Sequence, residues 1–171
     1  LETLVQLKLE LGHTWILCGW ISLLGYMLLE RRDDLMIKSI RSFDIDERCA
    51  SVADRLNKTH VIDGWQFKAS TIDVNDLVYD DLQYQTKRKD GSIETLFESS
   101  DTLINTSTDH LSDDRWFNSI PDGKLVIIQN NDVHGLDEHT NTTSDDDELA
   151  ARYPLQDILY RGTLHLEIGR A

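Results

Sequence analysis

Cysteine is nearly missing from this chain. Cys18 and Cys49 are the only two in 171 residues, and both stand in apolar or helical stretches, which excludes a disulfide scaffold and a cysteine-rich zinc site. Basic residues are also scarce. Against 31 Asp+Glu stand 17 Lys+Arg, a formal charge of −14 with a pI near 4.6, so the surface as a whole repels phosphate backbones and long nucleic acid is not an expected partner. The longest apolar stretch, Trp15 to Leu29, carries no charge but contains Gly19, Ser22 and Gly25 and falls short of the roughly 20 apolar residues a spanning helix needs; no membrane role is expected. No basic segment followed by a small-residue cleavage site opens the chain, so a cytoplasmic location is expected. The first residue is Leu1 rather than Met, which reads as a fragment or a processed chain. There is no Gly-x-Gly-x-x-Gly, no His-Glu-x-x-His, no EF-hand loop and no internal repeat, which speaks against a dehydrogenase-type nucleotide enzyme and against a metal. What is present is a 40% hydrophobic composition, enough for one core, and a single domain over 1–171 is expected.

Along the chain, helix-like and strand-like segments alternate. Leu4, Leu7 and Leu11 recur at helical spacing, with Gly12 as a stop. Thr14 to Cys18 is an uninterrupted apolar run ending at Gly19, suited to a strand buried on both faces and hence to a parallel sheet. Leu23 to Glu30 is rich in helix formers, with Arg31 and Arg32 at the negative end of its dipole. A second strand over Met36 to Phe43 and a helix over Glu47 to Leu56, closing near Asn57, repeat the unit. Trp65 to Ala69 predicts a third strand, Thr102 to Thr106 a fourth, Asp113 to Asn118 a short helix, Pro121-Asp122-Gly123 a turn, and Lys124 to Gln129 the clearest strand of all. Val78 to Glu98, with Lys87-Arg88-Lys89-Asp90-Gly91 inside it, reads as a hairpin or an insertion and stays unassigned. Ser144 to Glu148 suits a carboxylate-capped helix start, and Ile158 to Tyr160 and Thr163 to Ile168 read as strand material.

This alternation predicts an α/β fold: a Rossmann-like, doubly wound, mostly parallel sheet with helices on both faces, with ligands bound at the carboxyl ends of the strands. The loops there hold Gly19 to Gly25, Asp44 with Asp46, Asp73, and Asn105 to His110. A glycine lets backbone approach a ligand, an acid after the second strand suits ribose hydroxyls, and an acid after the third suits an exocyclic amine. Together they outline a nucleoside-shaped groove.

The succession Trp15-Ile16-Leu17-Cys18-Gly19, Ser42-Phe43-Asp44-Ile45-Asp46, Phe67-Lys68-Ala69 up to Asp73, Leu103 to Ser107, and Ile120 to Ile128 resembles the class I S-adenosylmethionine-dependent methyltransferases. The resemblance spans roughly Leu11 to Gln129. Asn105-Thr106-Ser107-Thr108-Asp109-His110 is similar to the Asn-Thr-Ser-Cys-Glu-His segment of a group of phage and bacterial methyltransferase-like proteins, with Thr108 for Cys and Asp109 for Glu. Glu138-His139-Thr140-Asn141 and Tyr153-Pro154-Leu155 extend the likeness.

The resemblance implies S-adenosylmethionine as cofactor and methyl transfer as activity. It implies that Cys18, Gly19, Trp20 and Gly25 form the turn beneath the methionine part, that Asp44 with Ile45 holds the ribose, that Asp73 meets the adenine amine while Val74 packs on the ring, and that Asn105 lines the transfer face. Asp109 or His110 is the nearest group to take a proton from the acceptor. The family turn has three closely spaced glycines where Cys18 to Gly25 carries Trp20, Ile21, Leu23 and Leu24, which keeps open a methyltransferase-like scaffold that has lost its cofactor. The family sheet also ends in an antiparallel pair, so this sheet is expected to stop short of its C-terminal edge strand.

Plainer readings stand beside these. Gly19 and Gly25 suit tight strand-to-helix packing, Asp46 suits a helix cap, Asp73 an Asx-turn, His110 a structural role, and Trp20 and Trp65 a core. His134, Asp137, Glu138 and His139, and Asp145 to Glu148, have no recognised ligand spacing, so no metal is expected. Lys87 to Lys89 reads as a solvated hairpin tip. The acceptor, whether small molecule, glycan, protein side chain or nucleobase, and the oligomeric state are not legible.

Overall fold

A computed structural model of the chain describes residues 1–62, 64–87 and 90–164. Leu1–Ser107 with Asp114–Gln129 forms one compact unit, and Thr108–Asp113 with the chain from Asn130 onward forms a second.

The first unit is built on a five-stranded sheet. Its strands are β1 (Gly12–Leu17), β2 (Ile37–Asp44), β3 (Phe67–Thr71), β6 (Thr102–Asn105) and β7 (Leu125–Ile128), in spatial order β3-β2-β1-β6-β7. Every pairing is parallel. The apolar run Trp15-Ile16-Leu17 is buried throughout, as a central parallel strand requires. Alternation splits the sheet into two faces. Ile16, Ile40, Phe67, Ala69 and Ile104 form one core cluster with Leu28 and Leu29 of α2 (Leu23–Leu29) and Ala53 of α3 (Glu47–Leu56). On the opposite face Trp15 packs edge-on against Phe43 at 5.3 Å and beside Tyr79 at 6.4 Å between ring centroids.

The expected strands and helices are present with small shifts at their ends. The first helix departs most: α1 is only Glu2–Gln6, because Lys8 turns left-handed at φ 52° and Leu11 leaves to donate its N–H to Leu35 O at 2.8 Å. Trp65 is not in the third strand; it sits at φ 58° in the turn before β3. The unassigned stretch is an antiparallel hairpin, β4 (Leu82–Lys87) against β5 (Ile93–Glu98). Of the basic run at its tip, Arg88 and Lys89 lie outside the described residues. Arg41, in mid-β2 with its side chain 6% exposed, grips Glu98 at the end of β5 with both ends of its guanidinium, Nε at 2.6 Å from Oε2, and also donates to Trp65 O at 3.1 Å. Short helices α4 (Lys58–Ile62) and α5 (Arg115–Asn118) complete the unit.

The second unit holds a 3-10 turn over Thr108–His110 and helix α6 (Asp146–Arg152). A reciprocal pair starts α6: Asp145 accepts from Glu148 N at 2.8 Å and Glu148 accepts from Ser144 N at 2.8 Å, satisfying two otherwise orphaned donors. That backbone bond from Ser144 holds the Glu148 carboxyl below its ordinary range. Ile158 to Tyr160 does not form a strand: those residues are in irregular backbone, each more than half exposed, and among the described residues no strand pairs with them. Thr163 and Leu164 are likewise not strand, and Ile168 lies outside the described residues. Among the described residues, β7 is the last strand of the sheet.

Candidate functional site

The strand order reverses direction between β1 and β6, where Leu17 and Asn105 are register partners at the carboxyl ends. In open parallel sheets that reversal opens a crevice, because the connections on either side leave in opposite directions.

The loop leaving β1 is tightly folded. Gly19 N donates to Phe43 O at 2.9 Å, Trp20 N to the Asp44 carboxylate at 2.8 Å and Ser22 N to Gly19 O at 2.7 Å. Cys18, Trp20 and Ser22 stand at φ 52°, 47° and 54°, a posture that costs a side-chain-bearing residue about 1–2 kcal/mol. The two glycines have packing reasons. A Cβ on Gly19 would come within 2.2 Å of Ser42 Oγ and 3.3 Å of Ile16 Cγ2, and one on Gly25 within 2.4 Å of Ser22 Oγ and 3.1 Å of Phe67 Cε2. Trp20 is 66% exposed and is not core.

At the end of β2, half-buried Asp44 accepts from Trp20 N through Oδ2 and from Asp46 N through Oδ1 at 2.9 Å. A carboxylate has about four lone-pair sites, so two are left over. Asp46 caps α3, accepting from Arg48 N at 2.9 Å, and the Arg48 guanidinium holds its carboxyl down at about 2. Ile45 is 70% exposed. Beyond β3, Asp73 Oδ1 accepts from Asn75 N at 2.9 Å, the Asx-turn geometry. Val74 is buried, and its carbonyl accepts from the Tyr79 hydroxyl at 2.9 Å. Burial pushes the Tyr79 phenol well above its ordinary range, with the charges of Cys18 and Asp73 adding to it. Tyr79 thus joins the ends of β1 and β3, a role no local signal announced.

Asn105, 1% exposed, accepts from Ser107 N at 3.0 Å through Oδ1, while its buried Nδ2 has no partner among the described residues. A buried orphan donor is uncommon, and this one sits beside the strand-order reversal. A shallow groove of about 610 Å³ lies elsewhere, at the amino ends, among Glu10, Gly12, Arg32, Asp33, Met36 and Lys38, and brings none of the expected site residues together.

Asn105 belongs to the first unit; Asp109 and His110 belong to the second. There Asp109, with its side chain 4% exposed, accepts from Asn131 Nδ2 at 2.9 Å. His110 Nε2 stands 3.3 Å from Asp109 Oδ2 and its Nδ1 3.1 Å from Glu138 O. Of His134, Asp137, Glu138 and His139, His139 brings its Nε2 to 3.5 Å from Asp109 Oδ2 and Glu138 meets His110 through its carbonyl, while His134 pairs with the Thr142 hydroxyl.

No protein-family model matches the chain, and no curated protein matches it in sequence. Solved structures match in fold. The YcgJ protein of Bacillus subtilis superposes with a TM-score of 0.51 at 9% identity, covering 76% of this chain and 49% of that one. A Methanococcus maripaludis protein provisionally assigned as an S-adenosyl-L-methionine-dependent methyltransferase gives 0.52 at 13% identity, over 74% of this chain and 52% of that one. A provisionally assigned methyltransferase of Bacillus halodurans gives 0.50 at 11% identity, over 78% and 52%. The fold is that of the class I S-adenosylmethionine-dependent methyltransferases. The chain spans about half the length of the structures it matches. Among the described residues, no helix is long and apolar enough to cross a membrane.

Proposed function

We propose that the first unit binds S-adenosylmethionine across the carboxyl ends of β1, β2, β3 and β6, and that the protein transfers its methyl group to an acceptor. The observation that carries this is the strand-order reversal with an orphaned amide donor, Asn105 Nδ2, buried beside it. The polar groups suit a nucleoside: the Asp44 carboxylate has lone pairs left to accept from two ribose hydroxyls, Asp73 Oδ2 can accept from an exocyclic amine, and Val74 supplies an apolar contact. When bound, S-adenosylmethionine supplies an already activated methyl on a sulfonium, so the protein's task is to orient the acceptor and keep water out. Asn105 is assigned that orienting role. Asp109 and His110 belong to the second unit, and no base is assigned to proton removal.

The test is calorimetry with S-adenosylmethionine and S-adenosylhomocysteine. Asp44→Ala should weaken binding by about 1–3 kcal/mol, the scale for losing a charged acceptor; unchanged affinity would refute the ribose assignment.

A second reading is a methyltransferase-like scaffold that no longer admits the cofactor. It rests on the bulky turn at Trp20 and Ile21 and on Ser42 filling the space beside Gly19. A thermal shift decides: ligand at 100 times its dissociation constant stabilises by about 2.7 kcal/mol, and no shift at millimolar ligand favours the scaffold.

A further inference from the structure

The second unit contains an arrangement that methyl transfer does not use. Asp109 Oδ2 is approached by two imidazole nitrogens, His110 Nε2 at 3.3 Å and His139 Nε2 at 3.5 Å. The three ligand atoms lie within 4.8 Å of one another, and the two rings meet edge to face at 4.9 Å.

The tautomers follow from the other side of each ring. His110 Nδ1 is 3.1 Å from Glu138 O and His139 Nδ1 is 3.0 Å from Val133 O. A carbonyl only accepts, so both Nδ1 atoms carry the hydrogen, and in a neutral imidazole this leaves the Nε2 lone pair as the acceptor. Two such lone pairs would then face one buried carboxylate oxygen, three acceptors converging with no donor among them. A cation at their centre resolves this. Backbone carbonyls behind both rings, and Asn131 Nδ2 on Asp109 Oδ2 at 2.9 Å, are the supports that orient metal ligands.

We propose that Asp109, His110 and His139 hold a divalent transition-metal ion of the Zn²⁺ type, with a fourth position open to water. The geometry suits the ion. Bonds of about 2.0–2.1 Å at tetrahedral angles put neighbouring ligand atoms about 3.3 Å apart, close to the two Asp109 distances of 3.3 and 3.5 Å; the third edge, within 4.8 Å, closes by up to about 1.5 Å as the exposed His110 ring swings in. Two imidazoles and one carboxylate are a donor set for Zn²⁺ or Fe²⁺ rather than Ca²⁺ or Mg²⁺. His110, with its side chain 46% exposed, marks the way in, and the −14 net charge draws cations. Between β7 and α6 the chain runs through 129–145 without a helix or strand, and the ion would fasten that loop, through His139, to the Thr108–His110 turn.

The test uses the full chain, without an affinity tag, stripped with EDTA and dialysed. Calorimetric titration with Zn²⁺ should show one ion per chain with micromolar or tighter affinity, and Co²⁺ should give the intense visible bands of a four-coordinate site. His110→Gln and His139→Gln should each weaken Zn²⁺ at least tenfold, Asn131→Ala about tenfold, and His60→Gln should leave binding unchanged. Zn²⁺ should also protect 129–145 from proteolysis in the unsubstituted chain, a readout that needs no variant to fold. The proposal is overturned if the unsubstituted chain gives no stoichiometric Zn²⁺ heat and no Co²⁺ bands, which would leave the imidazoles as protonated partners of Asp109. It is equally overturned if both histidine variants, folded by circular dichroism in EDTA, keep the original affinity.

Discussion

Gly19→Ala is the perturbation that best separates packing from ligand contact at the β1 turn. Gly19 lies outside the left-handed region, so an alanine there meets no backbone penalty, only neighbours. Its Cβ would stand 2.2 Å from Ser42 Oγ and 3.3 Å from Ile16 Cγ2, while Ser42 Cβ is at 3.5 Å, an ordinary contact. Ser42 is 2% exposed and cannot swing its hydroxyl into solvent. Overpacking at such a site costs about 1–3 kcal/mol. The same substitution in a Ser42→Ala background removes the clashing atom, so the cost should fall below about 1 kcal/mol and the pair should show a coupling of about 1 kcal/mol or more. Urea unfolding of the four chains of the cycle, with equal slopes, measures this. A cost that is the same in both backgrounds would show that the Ser42 hydroxyl is not what keeps residue 19 a glycine. The double variant then serves the functional question: with the fold restored, any remaining loss of S-adenosylhomocysteine affinity belongs to the ligand and not to the sheet.

Other expectations follow from single contacts. Glu98→Gln strips the carboxylate from Arg41, whose side chain is 6% exposed while that of Glu98 is 23% exposed; the loss should be about 2–3 kcal/mol, somewhat below that for a fully buried pair, and a thermal melt with under 1 kcal/mol lost would contradict it. Asp46 is held at about 2 by Arg48. Because its folded value is depressed, the stability it contributes is present above the unfolded carboxylate range near 4 and is lost as pH falls toward 2. Asp46→Asn keeps a capping oxygen and should flatten that part of the stability curve; an unchanged slope between about pH 4 and 2 would show that the pairing does not operate in solution.

What could be read along the chain was what neighbouring residues decide among themselves. Period-two and apolar runs marked β1, β2, β6 and β7, while Asp46 and Asp145 announced helix starts because a cap bonds within three or four residues of itself. Acids and amides at the strand ends followed from the same alternation, since a parallel sheet delivers every strand's carboxyl end to one edge. The first helix was expected to run further because Leu4, Leu7 and Leu11 keep helical spacing, yet Leu11 is claimed by the carbonyl of Leu35. Ile158 to Tyr160 reads as strand on apolar content alone, yet it lies in exposed, irregular backbone.

Tertiary structure decided everything that requires two distant segments to meet. The Arg41–Glu98 pair joins residues 57 apart, and Glu138, which orients His110, lies 28 residues beyond it. The reason Gly19 is a glycine is a serine on another strand. Spacing rules describe residues that one helix or one turn brings together, and Asp109, His110 and His139 are gathered by the path of a long irregular loop. A sequence reports local conformational preference directly; it reports proximity only through the closed fold, where burial and chain geometry choose which side chains become neighbours.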